Sequence, residues 1–164
     1  MRFPMISTAA LLLALVTDVL GAPGGGHVPI FRPSRNYFSS SEHGLIGCDN
    51  VTGLEGTWVW NGNDTNQCVS LVKRKCDNMI RYTTQQWVMG IEVRHNCDKI
   101  RPWTAIATFT ADGDKYPLDH GHAAIFESCS PPNCIWVYDQ NVTQQVHRQR
   151  FCDYADNFST IRLP

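Results

Sequence analysis

The apolar residues that follow Cys68 recur at a spacing of three or four positions, which is the spacing of one face of an α-helix. The residues that form this pattern are Val69, Val72, Cys76 and Met79/Ile80. The pattern predicts a helix from Cys68 to about Asn78 with one buried face. Thr65 or Asn66, just before it, can cap the helix N-terminus.

The pattern then changes to short β-strands. A short helix or turn over Thr83 to Met89, ended by Gly90, precedes them. The predicted strands are Ile91–Val93, Trp103–Thr110 (closed by the turn 112–114), Ala123–Glu127, Cys134–Gln140 and Thr160–Leu163. The loop from Ser128 to Asn133 joins the third and fourth of them as a hairpin. Helix first and strands after predict an α+β fold, with the N-terminal helix packed on an antiparallel sheet.

The N-terminal residues have the pattern of a signal peptide over residues 1–21. Arg2 supplies a positive charge, Ala9 to Leu20 form a short apolar segment, and Gly21 and Ala22 form a small-residue cleavage zone. Residues 22–47, rich in Gly, Pro and Ser, are expected to be a flexible lead-in, and residues 48–164 to be one domain. No later segment has the roughly 18 apolar residues that a membrane span needs. We expect a secreted, extracellular protein without membrane insertion.

Four N-x-S/T sequons support export by a eukaryotic route. The acceptor residues are Asn50, Asn63, Asn141 and Asn157. Some of them can remain unused, and Asn63 is the weakest because a glycan there would crowd Cys68.

The chain has seven cysteines, an odd number for an exported protein. Six can pair as three disulfides and leave one free thiol. Cys68 is the candidate for that thiol, because the partial positive charge at a helix N-terminus favours thiolate over thiol. The count alone leaves every cysteine an equal candidate, so Cys68 can also be half of a disulfide.

A histidine and a carboxylate lie on neighbouring predicted strands in the same hairpin. His122 begins one strand and Asp139 ends the next. A helix-borne Cys, a strand-borne His and a polar residue on the adjacent strand, in this order, are the layout of papain-like enzymes. The thiolate is the nucleophile, the imidazole transfers protons, and the third group orients the ring. His122 can instead be a capped strand end, with His120 as a rival, and Asp139 a turn carboxylate.

The remaining composition excludes several functions. The formal net charge is −1, with mixed signs along the chain and no basic stripe, so we expect no nucleic-acid partner. The His and Cys spacings form no zinc pattern. We therefore expect no metal and no cofactor, and an activity that chelators leave intact.

Six strings in order resemble a family of bacterial amidase effectors. The strings are residues 66–73, 84–90, 104–109, 114–117, 121–126 and 135–140. The family is the second class of type VI secreted peptidoglycan amidases, relatives of the NlpC/P60 and CHAP cysteine peptidases. The resemblance covers about Thr65 to Ile161. With the signal peptide and sequons, the chain is similar to the domesticated, secreted versions of these amidases in arthropods.

The resemblance implies a papain-like, NlpC/P60-like fold and a secreted antibacterial amidase that cuts stem-peptide cross-links of bacterial peptidoglycan. By position, the nucleophile falls on Cys68, the histidine on His122 and the orienting residue on Asp139. Gln67 matches the glutamine before the nucleophile in CHAP-like enzymes and is a candidate for stabilising the oxyanion. We expect a monomer. A non-catalytic wall-binding domain on the same scaffold is the main alternative, and an endopeptidase for ordinary proteins is a third.

Two features depart from the family pattern. Trp103 stands where the pattern prefers glycine, and it can crowd the strand entry or line a substrate groove. The other six cysteines are additions. Loop length predicts a Cys129–Cys134 disulfide, and elimination then leaves Cys76–Cys97 and Cys48–Cys152.

Overall fold

The computed structural model describes residues 44–62, 66–112, 115–152 and 158–164. The expected signal peptide and most of the expected lead-in lie outside the described residues, as do Asn63, Asn157 and part of the turn at 112–114. Within the described part of the chain, no helix is long and apolar enough to cross a membrane.

The helix that carries Cys68 is shorter than its apolar pattern predicts. Helix α1 spans Cys68–Lys75, and Cys76 adopts an extended backbone instead of continuing it. Cys76 is joined by a disulfide to Cys48, and the two residues also form an isolated β-bridge. This cross-link draws the chain away from the helix axis. A 3₁₀ turn at Met79–Arg81 follows, just beyond the predicted end of the helix at about Asn78.

A six-stranded antiparallel sheet forms the body of the described chain. Its strands are β1 Val88–Glu92, β2 Thr104–Thr108, β3 Ala123–Ser130, β4 Cys134–Asn141, β5 Gln144–Phe151 and β6 Phe158–Arg162. The strand order is β1-β6-β2-β3-β4-β5. The α+β class, the helix before the sheet and the β3–β4 hairpin are therefore confirmed.

The segment around Gly90 is a strand, so the helix predicted to end there is wrong. Only Thr84–Gln86 is helical, as a 3₁₀ turn, and Gly90 lies inside β1. A side-chain carbon at Gly90 would collide with Thr160 of β6. Glycine therefore allows the close approach of two strands here and does not terminate a helix.

Both faces of the sheet are covered. Ala105 and Ala107 of β2 face the core beneath α1, whereas Ile106 between them belongs to a second apolar cluster on the opposite face. The run Arg94–Lys99, made of 3₁₀ turns, lies beside that second cluster and supplies Cys97 to it. Burial on both faces explains why β2 is a nearly continuous apolar run without alternation.

The structure contradicts the predicted disulfide pairing. The three disulfides join Cys48 to Cys76, Cys97 to Cys129 and Cys134 to Cys152. The hairpin register explains the error, because Cys129 lies opposite Ile135, not opposite Cys134. Successive side chains point to opposite faces of a strand, so the two hairpin cysteines face away from each other. The set of six bridged cysteines is as predicted, but every partner differs.

The compact region begins before Cys48. Leu45 and Ile46 are both buried, and the carbonyl of Ile46 accepts a hydrogen bond from the amide of Ala105. The boundary expected at residue 47 therefore falls inside the packed region.

Candidate active site

Cys68 is the first residue of α1 and the free thiol of the chain. All seven cysteines lie in the described residues, and the other six are bridged. Gln67, just before it, has an extended backbone, so the helix begins abruptly at the cysteine. The half-buried thiol is thus held where the helix amides have no intrahelical acceptors.

His122 is anchored at the residue before β3. Its amide donates to the hydroxyl of Thr108 at 2.9 Å, and its carbonyl accepts from the Thr108 amide at 2.9 Å. Its ring packs edge-on against Phe151 and Phe158, with ring centroids 5.8 and 6.0 Å away. Backbone and ring contacts together fix the position and the plane of the imidazole.

Asp139 lies in β4 behind the imidazole and is almost completely buried. Its Oδ2 lies 2.6 Å from Nε2 of His122. Since the carboxylate occupies Nε2, Nδ1 is the ring nitrogen left for Cys68, whose charge acts on the imidazole. The structure thus brings together the three residues that the sequence singled out as Cys, His and orienting group.

The thiol and the imidazole stabilise each other's charge. Burial alone would raise the pKa of Cys68, but the hydrogen bond and positive charge of His122 outweigh it, so the net shift is downward. Burial would lower the pKa of His122, yet hydrogen bonds to Asp139 and Cys68 raise it to about 9. These opposite shifts favour a thiolate–imidazolium pair at neutral pH.

Tyr116 is a site residue to which the sequence analysis assigned no role. Its hydroxyl lies 3.7 Å from the Cys68 sulfur. Burial and the neighbouring thiolate raise its pKa far above the ordinary value, so the hydroxyl keeps its proton and remains a donor. Gly121 makes room for this arrangement, because a side-chain carbon there would collide with the Tyr116 ring and the Pro117 carbonyl.

Gln140 is a second residue whose role the sequence did not reveal. Its side chain is completely buried and joins two segments of the chain. Its Oε1 accepts from the Val59 amide at 3.0 Å, and its Nε2 donates to the Val59 carbonyl at 2.7 Å and to the Gln67 carbonyl at 3.1 Å. Gln67, the residue before Cys68, is thereby fixed to the strand that carries Asp139. Both Gln140 and Tyr116 stand in the strings that carry the family resemblance.

The structure shows other contacts for the remaining predicted site residues. Trp103 precedes β2 by one residue, and Thr108, which holds His122, ends that strand. At about 3.3 Å per residue the two lie roughly 16 Å apart. The Trp103 ring packs against Tyr138 instead. The exposed Gln67 meets the site through its backbone, and the rival His120 is exposed.

The backbone explains the glycine that the family pattern prefers at position 103. Trp103 has a φ of 65°, in the left-handed region. Glycine occupies that region without steric cost, whereas other residues strain there by about 1–2 kcal/mol.

Two of the predicted glycosylation acceptors can be located. Asn50 is exposed and Asn141 is partly exposed. In each, Oδ1 accepts hydrogen bonds from the amide and the hydroxyl of the threonine two residues on, Thr52 or Thr143. Their glycosylation stays a prediction. Among the described residues, no group of three or more His, Cys, Asp and Glu side chains is placed to hold a metal ion.

Comparison with known proteins identifies the family. Residues 37–160 match the family model of domesticated amidase effector 2. The chain belongs to this family. A domesticated amidase effector 2 from the tick Ixodes scapularis is 47% identical over 126 residues, which cover 72% of this chain and 85% of the tick protein.

The fold of this chain has a counterpart among solved structures. Type 6 secretion amidase effector 2 superposes with a TM-score of 0.57 at 22% identity, over 70% of this chain and 92% of that one. The papain-like, NlpC/P60-like fold class expected from the sequence is thereby confirmed. The resemblance drawn from the six strings is confirmed as well.

Proposed function

We propose that this member of the amidase effector family is a secreted enzyme that hydrolyses peptide cross-links of bacterial peptidoglycan through a thiolate nucleophile. The observation that carries the proposal is the free Cys68 at the start of α1, paired with His122, which Asp139 holds from behind. Within the described residues, no packing role accounts for a free thiol and a buried carboxylate on either side of one imidazole.

The first half of the reaction forms an acyl-enzyme. The Cys68 thiolate attacks the carbonyl carbon of the cross-link amide and gives a tetrahedral oxyanion. As that intermediate collapses, the C–N bond breaks and the His122 imidazolium gives its proton to the leaving amine. Asp139 keeps the ring in the tautomer and orientation that make this transfer possible.

The second half releases the product. Neutral His122 takes a proton from water, the hydroxide attacks the thioester, and collapse of the second oxyanion expels the Cys68 thiolate. The backbone amide of Cys68, which has no intrahelical acceptor, and the Tyr116 hydroxyl are the candidate oxyanion donors. Such a donor is typically worth about 2.7–4 kcal/mol of barrier.

An extracellular working place is supported by the cross-links of the fold. Three disulfides in a domain of this size are typical of secreted proteins. From outside the bacterium, such an enzyme reaches exposed walls such as those of Gram-positive bacteria, whereas an outer membrane would block it.

The test compares the wild-type protein with Cys68→Ala on purified peptidoglycan. We expect the wild type to release fragments whose combined masses exceed that of the intact cross-linked peptide by one water for each stem-peptide bond cut. The variant should fold with its three disulfides and release none. Casein, as a control substrate, should remain intact, because an enzyme acting on ordinary proteins would degrade it.

Two outcomes would contradict the proposal. A Cys68→Ala variant that still degrades the wall would exclude the thiol mechanism. A wild type that binds the wall and harms bacteria without releasing fragments would indicate the non-catalytic wall-binding domain.

A further inference from the structure

A second imidazole contacts the buried carboxylate behind His122. His147 of β5 lies opposite Asp139 in the β4–β5 register. Its Nε2 is 3.2 Å from Oδ1 of Asp139, while Oδ2 of the same carboxylate is 2.6 Å from Nε2 of His122. Asp139 is 1% exposed, so water cannot compensate its charge and the two imidazoles are its ionic partners.

The hydrogen bonds of His147 indicate that its ring carries two protons. Its Nδ1 lies 2.9 Å from the backbone carbonyl of Gln145, which can only accept, so Nδ1 must bear a hydrogen. Its Nε2 faces two oxygens, Oδ1 of Asp139 and Oε1 of Gln149, the latter at 2.8 Å. An unprotonated Nε2 would place its lone pair against these two oxygens and be repelled. Rotating the Gln149 amide would exchange its oxygen for nitrogen but would leave the Asp139 carboxylate oxygen in place.

The contact of His147 with Asp139 is mainly ionic. Among the described residues, no well-aligned hydrogen bond reaches Oδ1 of Asp139. The N–H of Nε2 is directed toward Gln149, and the positive ring lies beside the carboxylate oxygen. A buried carboxylate oxygen without a donor is costly, and an adjacent positive charge is the compensation this site offers.

We propose that His147 is a positioning residue that completes an alternating row of charges: Cys68 thiolate, His122 imidazolium, Asp139 carboxylate and His147 imidazolium. The inference rests on the proposed function in taking the first three as the reacting groups. With His147 charged, the row is neutral overall and Oδ2 of Asp139 stays directed at His122. Without the charge on His147, the row carries a net negative charge and binds a proton more readily. If that proton goes to the Cys68 thiolate, the sulfur is no longer nucleophilic.

The surroundings of His147 leave few other charges to act on it. Asp139 faces it from β4. Glu55 lines a surface pocket that His147 also lines. Gln145 and Gln149, its contacts on β5, are neutral. In the described chain, β5 is the last strand of the sheet, so no further strand covers it.

The experiment measures the alkylation rate of Cys68 by iodoacetamide against pH, in the full-length disulfide-bonded protein. Because Cys68 is the free thiol, the midpoint of the acid limb reports thiolate formation. We expect His147→Gln, which removes the charge but keeps an N–H, to move that midpoint upward by about half to one pH unit. That is the scale of a full charge acting across the site at an effective dielectric constant of about 20. His147→Lys should restore it.

A matched control is His95→Gln, which removes an imidazole 3.0 Å from the Glu92 carboxylate at the surface. It should leave the midpoint unchanged. An unchanged midpoint in His147→Gln would overturn the inference, as would equal shifts in His147→Gln and His147→Lys, since ring shape and not charge would then matter. The alkylation assay needs no wall substrate, so failure to cleave peptidoglycan would count against the proposed function alone.

Discussion

Replacing Gln140 by methionine tests how firmly the segment that carries Cys68 is held in place. Methionine has nearly the volume and flexibility of glutamine but offers neither donor nor strong acceptor. The change therefore removes three hydrogen bonds without opening a large cavity. Two of them satisfy the amide and carbonyl of Val59, and the third ends on the Gln67 carbonyl.

The expected cost follows from which partners stay buried. Val59 is 9% exposed and Gln140 is 0% exposed, so both Val59 groups lose their partner away from water. Each buried unsatisfied group costs about 1–3 kcal/mol, which gives about 2–6 kcal/mol for the pair. Gln67 is exposed, and water can replace the third bond at little cost. Against a typical total of about 5–15 kcal/mol, this loss is large.

Urea unfolding with the disulfides intact measures this free energy, and alkylation of Cys68 in native buffer reports the geometry of the site. We expect a destabilisation in the stated range and slower alkylation at neutral pH. The matched control is Gln144→Met, an exposed glutamine on β5, which should change stability by less than about 0.5 kcal/mol. A Gln140→Met variant as stable and as reactive as this control would show that the Gln140 hydrogen bonds do not hold the site in place.

Two further predictions concern the same site. In a profile of kcat/KM for wall hydrolysis against pH, the alkaline limb should fall near pH 9. The reason is that His122 keeps the proton needed by the leaving amine up to its raised pKa of about 9. A fall near the ordinary histidine pKa of about 6.5 would contradict the coupling of Asp139, His122 and Cys68. Gly121→Ala should lower kcat/KM at least about tenfold, because the added methyl displaces the Tyr116 ring. The control Gly53→Ala, where nothing lies within 4 Å of the added methyl, should match the wild type. Equal activities of the two variants would exclude a role for the close packing of Gly121 against Tyr116.

Local patterns predicted the elements whose signal lies in their own residues. Helical spacing marked the start of α1 at Cys68, and apolar runs marked β2, β3 and β4 within a few residues. Strand β5 was missed because it lies at the edge of the sheet, where most of its residues are polar and give no apolar pattern. It pairs along its length with β4 only, and Val146, which also hydrogen-bonds to Gly56 and Thr57, is its one fully buried apolar residue.

The long-range contacts were not predictable in this way. The disulfide partners depend on which strand face each cysteine occupies, and a register error of one residue reverses that face. The hydrogen bonds of Gln140 to Val59 join positions 81 residues apart along the chain. His147 contacts Asp139 only because β4 and β5 pair. Neither leaves a periodic or compositional trace.

The sequence by itself determined the class of the fold and supplied Cys68, His122 and Asp139 as the candidate residues of the site. Their chemistry is intrinsic to the side chains, and helix start, strand start and hairpin are short-range features. Only the tertiary structure decided the pKa shifts of Cys68 and His122, the disulfide partners, and the contacts of Tyr116 and His147. These depend on distance and exclusion from water, which arise only when segments remote in the chain pack together.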